Sequence, residues 1–160
     1  MPQQKRSGKY FGLGAVLLAI GAVATFEGVS LVTYDDPVGV PTVCAGETDK
    51  DVVMREQFTR DECMALLGAS LLQHAQDISL CVFHPVKPHE AAAIISWTYN
   101  VGAAAACKST LIRKLNAGEP PAVWCAELRK WKYAGGRVMN GLVKRRQKEF
   151  NMCTTGAWDA

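Results

Sequence analysis

Along this 160-residue chain the spacing of hydrophobic and polar positions changes twice. Residues 10–26, YFGLGAVLLAIGAVATF, carry no charge and follow Lys5, Arg6 and Lys9. Residues 29–48 mix β-branched side chains with Gly and Pro breaks, a pattern that predicts short strands and turns. Beyond them the apolar period is helical. Thr59-Arg60-Asp61-Glu62 is a capping box, and Cys63, Leu67, Leu71, His74 and Ile78 follow at three- and four-residue spacing, predicting a helix to about Leu80. Pro85 and Pro88 restart a helix that carries Ala92, Ile95, Trp97 and Tyr99 and ends at Gly102. Ser109 opens a helix to Asn116, stopped by Gly118, and Pro120-Pro121 opens another from about Pro121 to Trp131. Gly135-Gly136 is a turn, and a basic helix begins at Gly141. No internal repeat is present. An apolar helix, a small sheet and then helices alone make an α+β class, mostly helical.

The first run is marginal for a membrane. Its 17 residues span about 26 Å as a helix, against about 30 Å for a bilayer core. Seven of them are Gly or Ala, and the eight strong inserters supply roughly −2 to −5 kcal/mol. The basic flank places the amino end in the cytoplasm and sends the remainder outward. Three readings compete: a signal peptide cleaved after Ala22-Val23-Ala24, a permanent anchor, and a buried core helix.

Composition narrows the class. With 49% apolar and 21% charged residues the chain is globular and sized for one domain. Six cysteines in a chain of this length suit an oxidising compartment, where they pair. No CxxC pair or His/Cys cluster points to a metal, and His74, His84 and His89 lack ligand spacing, so they read as structural or surface residues. There is no GxSxG elbow or P-loop. The net charge of +3 is too small to argue for nucleic acid. It hides a net of −6 over residues 27–110 and +7 over residues 111–150. The basic segment reads either as solvated helix faces or as a wall that attracts an anionic polymer.

Glu27 follows the apolar run directly, with Asp36 nine positions on and Thr42 six beyond. Two acids flanking turn material can face one cleft, and glycoside hydrolysis needs such a pair: one to protonate the leaving oxygen, one to handle water or the sugar cation. The order Glu-x8-Asp-x5-Thr, read through EGVSLVTYDDPVGVPT, resembles the catalytic arrangement of T-even-phage-type lysozymes. TVCAGET, WTYNVG, STLIRKLNAG, WKYAGG and GLVKRRQKE then follow in the order of lambdoid phage endolysins, and TGAWDA resembles the T-even tail. The likeness runs from about Glu27 to the carboxyl end.

The resemblance implies a lysozyme-like fold with a small β lobe and a helical lobe behind an apolar amino-terminal anchor helix. It implies a muramidase acting on the β-1,4 bond between N-acetylmuramic acid and N-acetylglucosamine of peptidoglycan, without cofactor, as a monomer. Glu27 would be the general acid, Asp36 the carboxylate that positions water, and Thr42 the residue that holds it; the nine-residue spacing selects Asp36 over Asp35. Asn100 falls where the family has a cleft amide, and Trp131 is either a sugar-stacking ring or core. Counting back from the tail puts Arg145 where the family pairs an arginine with its catalytic Glu, the alternative being a solvated arginine. Glu47 stands where the family often has His, so a structural His–Asp pair is expected to be absent. Relatives share cysteines at positions like 44, 63, 125 and 153, which implies the pairs Cys44–Cys63 and Cys125–Cys153, with Cys81–Cys107 as an added pair.

The Gly/Ala-rich run joined to Glu27 resembles the signal-anchor-release endolysins. That implies a division into residues 1–26 as anchor and residues 27–160 as catalytic domain. It implies export in an inactive form tethered to the inner membrane and facing the periplasm, release into the periplasm downstream of a holin or pinholin, and activation by refolding. Residues 1–43 hold no Cys, so disulfide exchange is not the expected trigger. A catalytically inactive wall-binding or membrane-anchored module on a lysozyme fold is the alternative.

Overall fold

The computed structural model describes residues 10–55 and 57–158; Lys5, Arg6 and Lys9 lie outside them. The uncharged run forms α1, Leu13–Glu27. Ala15, Val16, Ala19, Ala22 and Val23 are its buried side, while Leu13, Leu17 and Leu18 face outward. This inner stripe of small residues packs on α3, Arg60–Ser79, and α4, Pro88–Val101. Gly68 of α3 faces Ile20 of α1, and a Cβ there would lie 3.3 Å from Ile20 Cδ1. Thus the run lies against the body and shares its core with Leu71, Ile78, Ile94, Ile95 and Trp97. At 15 residues α1 is about 22 Å long. Among the described residues no helix is long and apolar enough to cross a membrane.

Gly28, at φ 65°, turns the chain from α1 into β1, Ser30–Asp35. That conformation is strained for any side chain with a Cβ. β1 pairs antiparallel with β2, Pro41–Cys44, in the register Tyr34 to Thr42 and Asp35 to Pro41, with an irregularity toward Ser30. The short α2, Lys50–Val53, completes this lobe. Its small core of Val43, Cys44, Phe58 and Cys63 is separate from the main one.

The helical body continues through α5, Ala103–Cys107, and α6, Thr110–Asn116. The helix expected over residues 121–131 divides into α7, Pro121–Cys125, and a 3-10 segment, Ala126–Lys130. The tighter winding buries Leu128 and places Glu127 between Lys114 and Lys130, each 2.8 Å away. The expected glycine turn is a hairpin of β3, Tyr133–Ala134, and β4, Arg137–Val138. α8, Asn140–Thr155, then packs against α4. It is not a uniformly solvated basic face, because Arg145, Arg146 and Glu149 are buried.

Three disulfides, Cys44–Cys63, Cys81–Cys107 and Cys125–Cys153, join β2 to α3, the end of α3 to α5, and α7 to α8. Closing a loop of 28 residues restricts the unfolded chain by about 3.5 kcal/mol in the chain-entropy picture. Replacing Cys125 and Cys153 by Ser is expected to lower the unfolding free energy by roughly 3 kcal/mol, read from urea midpoints.

The capping box at the start of α3 is complete. Glu62 N donates to Thr59 Oγ1 at 3.2 Å, and Thr59 N donates to Glu62 Oε2 at 2.7 Å. The Thr59 amide and the Arg55 guanidinium pull the Glu62 carboxyl from 4.5 down to about 2. A depressed folded-state value means a contribution present above pH 4.5 and lost as pH falls toward 2. Thermal midpoints of the native chain should therefore fall more steeply over that window than those of Glu62→Gln. Parallel curves would refute the assignment.

Candidate active site

Glu27 is the last residue of α1, about a quarter exposed, where the helix meets two hollows. One, of about 400 Å³, is bordered by Glu27, Ala45, Glu47, His74, Tyr99 and Asn100. The other, of about 860 Å³, is bordered by Glu27, Asn100, Trp131, Tyr133, Leu142 and Arg145. Glu27 and Asn100 belong to both, so the two form one groove that passes the carboxyl group.

The carboxyl is gripped from behind. Arg145 Nη1 donates to Glu27 Oε1, and the same guanidinium stacks over the Phe26 ring, 5.1 Å from its centroid. Nη2 of Arg145 donates to the Ser96 carbonyl at 3.1 Å, and Nε donates to Glu149 Oε1 at 3.2 Å. The Ser96 hydroxyl donates to the same Glu149 oxygen at 2.7 Å. Arg146 reaches Glu149 Oε2 at 2.9 Å as a close charge contact lacking hydrogen-bond alignment, and its Nη2 donates to Asn100 Oδ1 at 3.0 Å. A single network therefore ties the carboxyl at the end of α1 to the Asn100 amide through the buried side of α8. Burial lowers Arg146 to about 10, against the pull of the Glu149 charge.

Tyr99 lines the groove beside Glu27. Its hydroxyl donates to the Ala45 carbonyl at 2.7 Å and so ties α4 to the β lobe. Burial, and next the Glu27 charge, push the phenol up to about 12, so it stays protonated. His74 packs edge-on to Tyr99 with centroids 5.3 Å apart, and its Nδ1 lies 2.8 Å from the Ser70 carbonyl oxygen. The Trp131 ring meets Trp97 edge-on at 5.2 Å, and the residue also borders the larger hollow.

Asp36 and Thr42 lie on the adjoining hairpin, outside these two hollows. Asp36 Oδ1 accepts from Val38 N at 2.9 Å and Val40 N at 2.8 Å, which closes the turn. Thr42 is buried and donates to the Val40 carbonyl at 2.9 Å. Glu47 caps its own loop, accepting from Thr48 N and Asp49 N, and borders the smaller hollow. Sequence reasoning missed Tyr99, Glu47 and His74 as groove residues, and Ser96, Arg146 and Glu149 as the support behind Glu27. The i+4 and i+3 spacing of Glu149 from Arg145 and Arg146 was legible; their burial was not. Among the described residues no group of three or more His, Cys, Asp or Glu could hold a metal ion.

Comparison with known proteins places this geometry among phage enzymes. Residues 24–149 match the profile of the family described as Phage lysozyme. A SAR-endolysin of Enterobacteria phage P21 is 37% identical over 164 residues, covering 98% of this chain and 99% of its own. A SAR-endolysin of Bacteriophage PS119 is 38% identical over 151 residues, covering 94% and 90%. The solved endolysin from Escherichia coli O157:H7 phage FAHEc1 superposes with a TM-score of 0.79 at 26% identity, covering 98% of this chain and 96% of its own.

Proposed function

The chain belongs to the phage lysozyme family and is a lysozyme-type glycoside hydrolase of phage lysis, and from that membership we propose that it cuts the β-1,4 bond between N-acetylmuramic acid and N-acetylglucosamine of peptidoglycan. The observation that carries this reading is the placement of Glu27, on the border of both hollows and bonded to Arg145. Glu27 gives its proton to the glycosidic oxygen as the bond breaks. Asp36 orients the attacking water for an inverting displacement, and Thr42 holds that water. Asn100, fixed by Arg146, contacts sugar, and Trp131 offers a ring face at the groove. The test is chemical. Digested wall is reduced with borohydride, and the new ends are identified. Muramitol is the expected product; glucosaminitol would mean that the other glycosidic bond is cut.

Residues 1–26 serve as a signal-anchor-release segment ahead of a catalytic domain of residues 27–160. The marginal apolarity of residues 10–26 and the relatives' name support this. Tethered in the inner membrane on the periplasmic side, residues 10–26 cannot pack on α3 and α4. Glu27 then has no fixed place against Arg145, and the enzyme is inactive. After release, downstream of a holin or pinholin, α1 packs as it does here and the periplasmic enzyme is active as a monomer. Fractionation tests it: a full-length chain should pass from membrane to soluble fraction when the membrane is depolarised. A chain shortened at Ala24 would establish a cleaved signal peptide instead.

A further inference from the structure

Resting on the reading of Glu27 as the acid, we propose that Glu149 is a positioning residue for the reaction. It holds Arg145 against Glu27 and offsets the positive charge that Arg145 brings to the acid. Glu149 is fully buried and borders neither hollow itself. Its Oε1 accepts from Arg145 Nε at 3.2 Å and Ser96 Oγ at 2.7 Å, while Oε2 faces Arg146 Nε at 2.9 Å. A guanidinium has donors only. Two guanidinium groups flank the carboxyl, and their charge favours its ionised form. Burial pushes the Glu149 carboxyl up, and Arg146, Arg145 and Ser96 act against it.

Arg145 is thus shared: one donor on Glu27, one on Glu149, one on the Ser96 carbonyl. Alone beside Glu27, its positive charge would favour the carboxylate, which is the wrong form for a general acid. Glu149, on the other side of the same guanidinium, offsets that bias. Other ionisable groups lie around the groove. Tyr99 on α4 stays neutral, and His74 on α3 and Glu47 after β2 border the smaller hollow together with Glu27. Lys144 and Lys148 on α8 add positive charge along the larger hollow. Glu127 in the 3-10 segment is held by Lys114 and Lys130, and Arg129 lies over Phe150.

The experiment is the pH dependence of kcat/KM on soluble peptidoglycan fragments, whose basic limb reports loss of the acid's proton. In Glu149→Gln the limb should move to lower pH by on the order of one unit. Glu149→Asp, which keeps the charge, should leave it near the native position. A folded Glu149→Gln enzyme with an unmoved limb, or an Asp variant that moves as far, overturns the proposal. If Glu149→Gln does not fold, the variant carrying Glu149→Gln and Arg146→Gln also removes the buried Arg146 charge that Glu149 faced and should move the limb in the same direction by less; no movement overturns it. The variant with Cys81→Ser and Cys107→Ser is the control for stability alone. It should lose stability with the limb in place, and an equal movement there overturns the proposal. Full activity in Glu27→Gln would instead bring down the assignment of the acid itself.

Discussion

Glu27→Gln should lower wall-degrading activity by about 10²- to 10⁴-fold, the range that a positioned general acid contributes. The amide keeps the shape of the side chain and an oxygen acceptor for Arg145 Nη1, so α1 should stay docked. What is lost is the proton that the leaving oxygen must receive. Asp36→Asn makes an informative partner, because Asp36 has two separable duties. Its Oδ1 closes the hairpin turn by accepting from Val38 N and Val40 N, and an Asn oxygen can do that equally well. A large loss in Asp36→Asn with unchanged melting then reports the carboxylate charge acting on water. Asp35→Asn is the matching control and should retain most activity. Clearing of permeabilised Gram-negative cells measures all three. Full clearing by Glu27→Gln would remove the carboxyl from the mechanism.

The second large effect is expected at Arg145. Replacing it by Met removes the three donors by which Arg145 meets Glu27, Glu149 and the Ser96 carbonyl. Breaking a buried pair by deleting one partner costs about 3–5 kcal/mol, because the remaining charge is left in a place water cannot reach. For a domain of this size that is a fall in melting temperature on the order of 10 °C. Activity should fall as well, since Glu27 loses the group that orients it. Arg145→Lys keeps the charge but cannot bond three acceptors from one planar fork. It should recover stability only in part. Melting within a few degrees of the native chain for Arg145→Met would mean that the network behind Glu27 contributes little.

Much of this was legible in one dimension because it depends on local rules. The capping box at Thr59 and Glu62, the proline starts at Pro88 and Pro121 and the glycine stop at Gly102 need only a few neighbouring residues, and the helices follow them. The three disulfides join the same cysteines that the family resemblance implied. The order Glu27, Asp36, Thr42 pointed to the family, which the profile match and the relatives then showed. The division of residues 121–131 into a helix and a tighter segment was less legible, since it answers to the burial of Leu128 and the pairing of Glu127.

Some properties of this protein are set by its sequence alone. An uncharged run of 17 residues, nearly half Gly and Ala, is marginal in a bilayer whatever surrounds it, because transfer energy is a sum over side chains. Where that run lies is different. Its stripe of Ala15, Val16, Ala19, Ala22 and Val23 has no partner in the sequence pattern; only the surface made by α3 and α4, with Gly68 at the contact, gives it one. The same holds for Arg145. In the sequence it is one of ten bases in a 40-residue stretch, indistinguishable from Lys144 or Lys148. The packing of α8 on α4 buries it between Glu27 and Glu149, 118 residues of chain separating it from the first. Burial and long-range pairing set the energy of a charge, and both come into being only when the chain has folded.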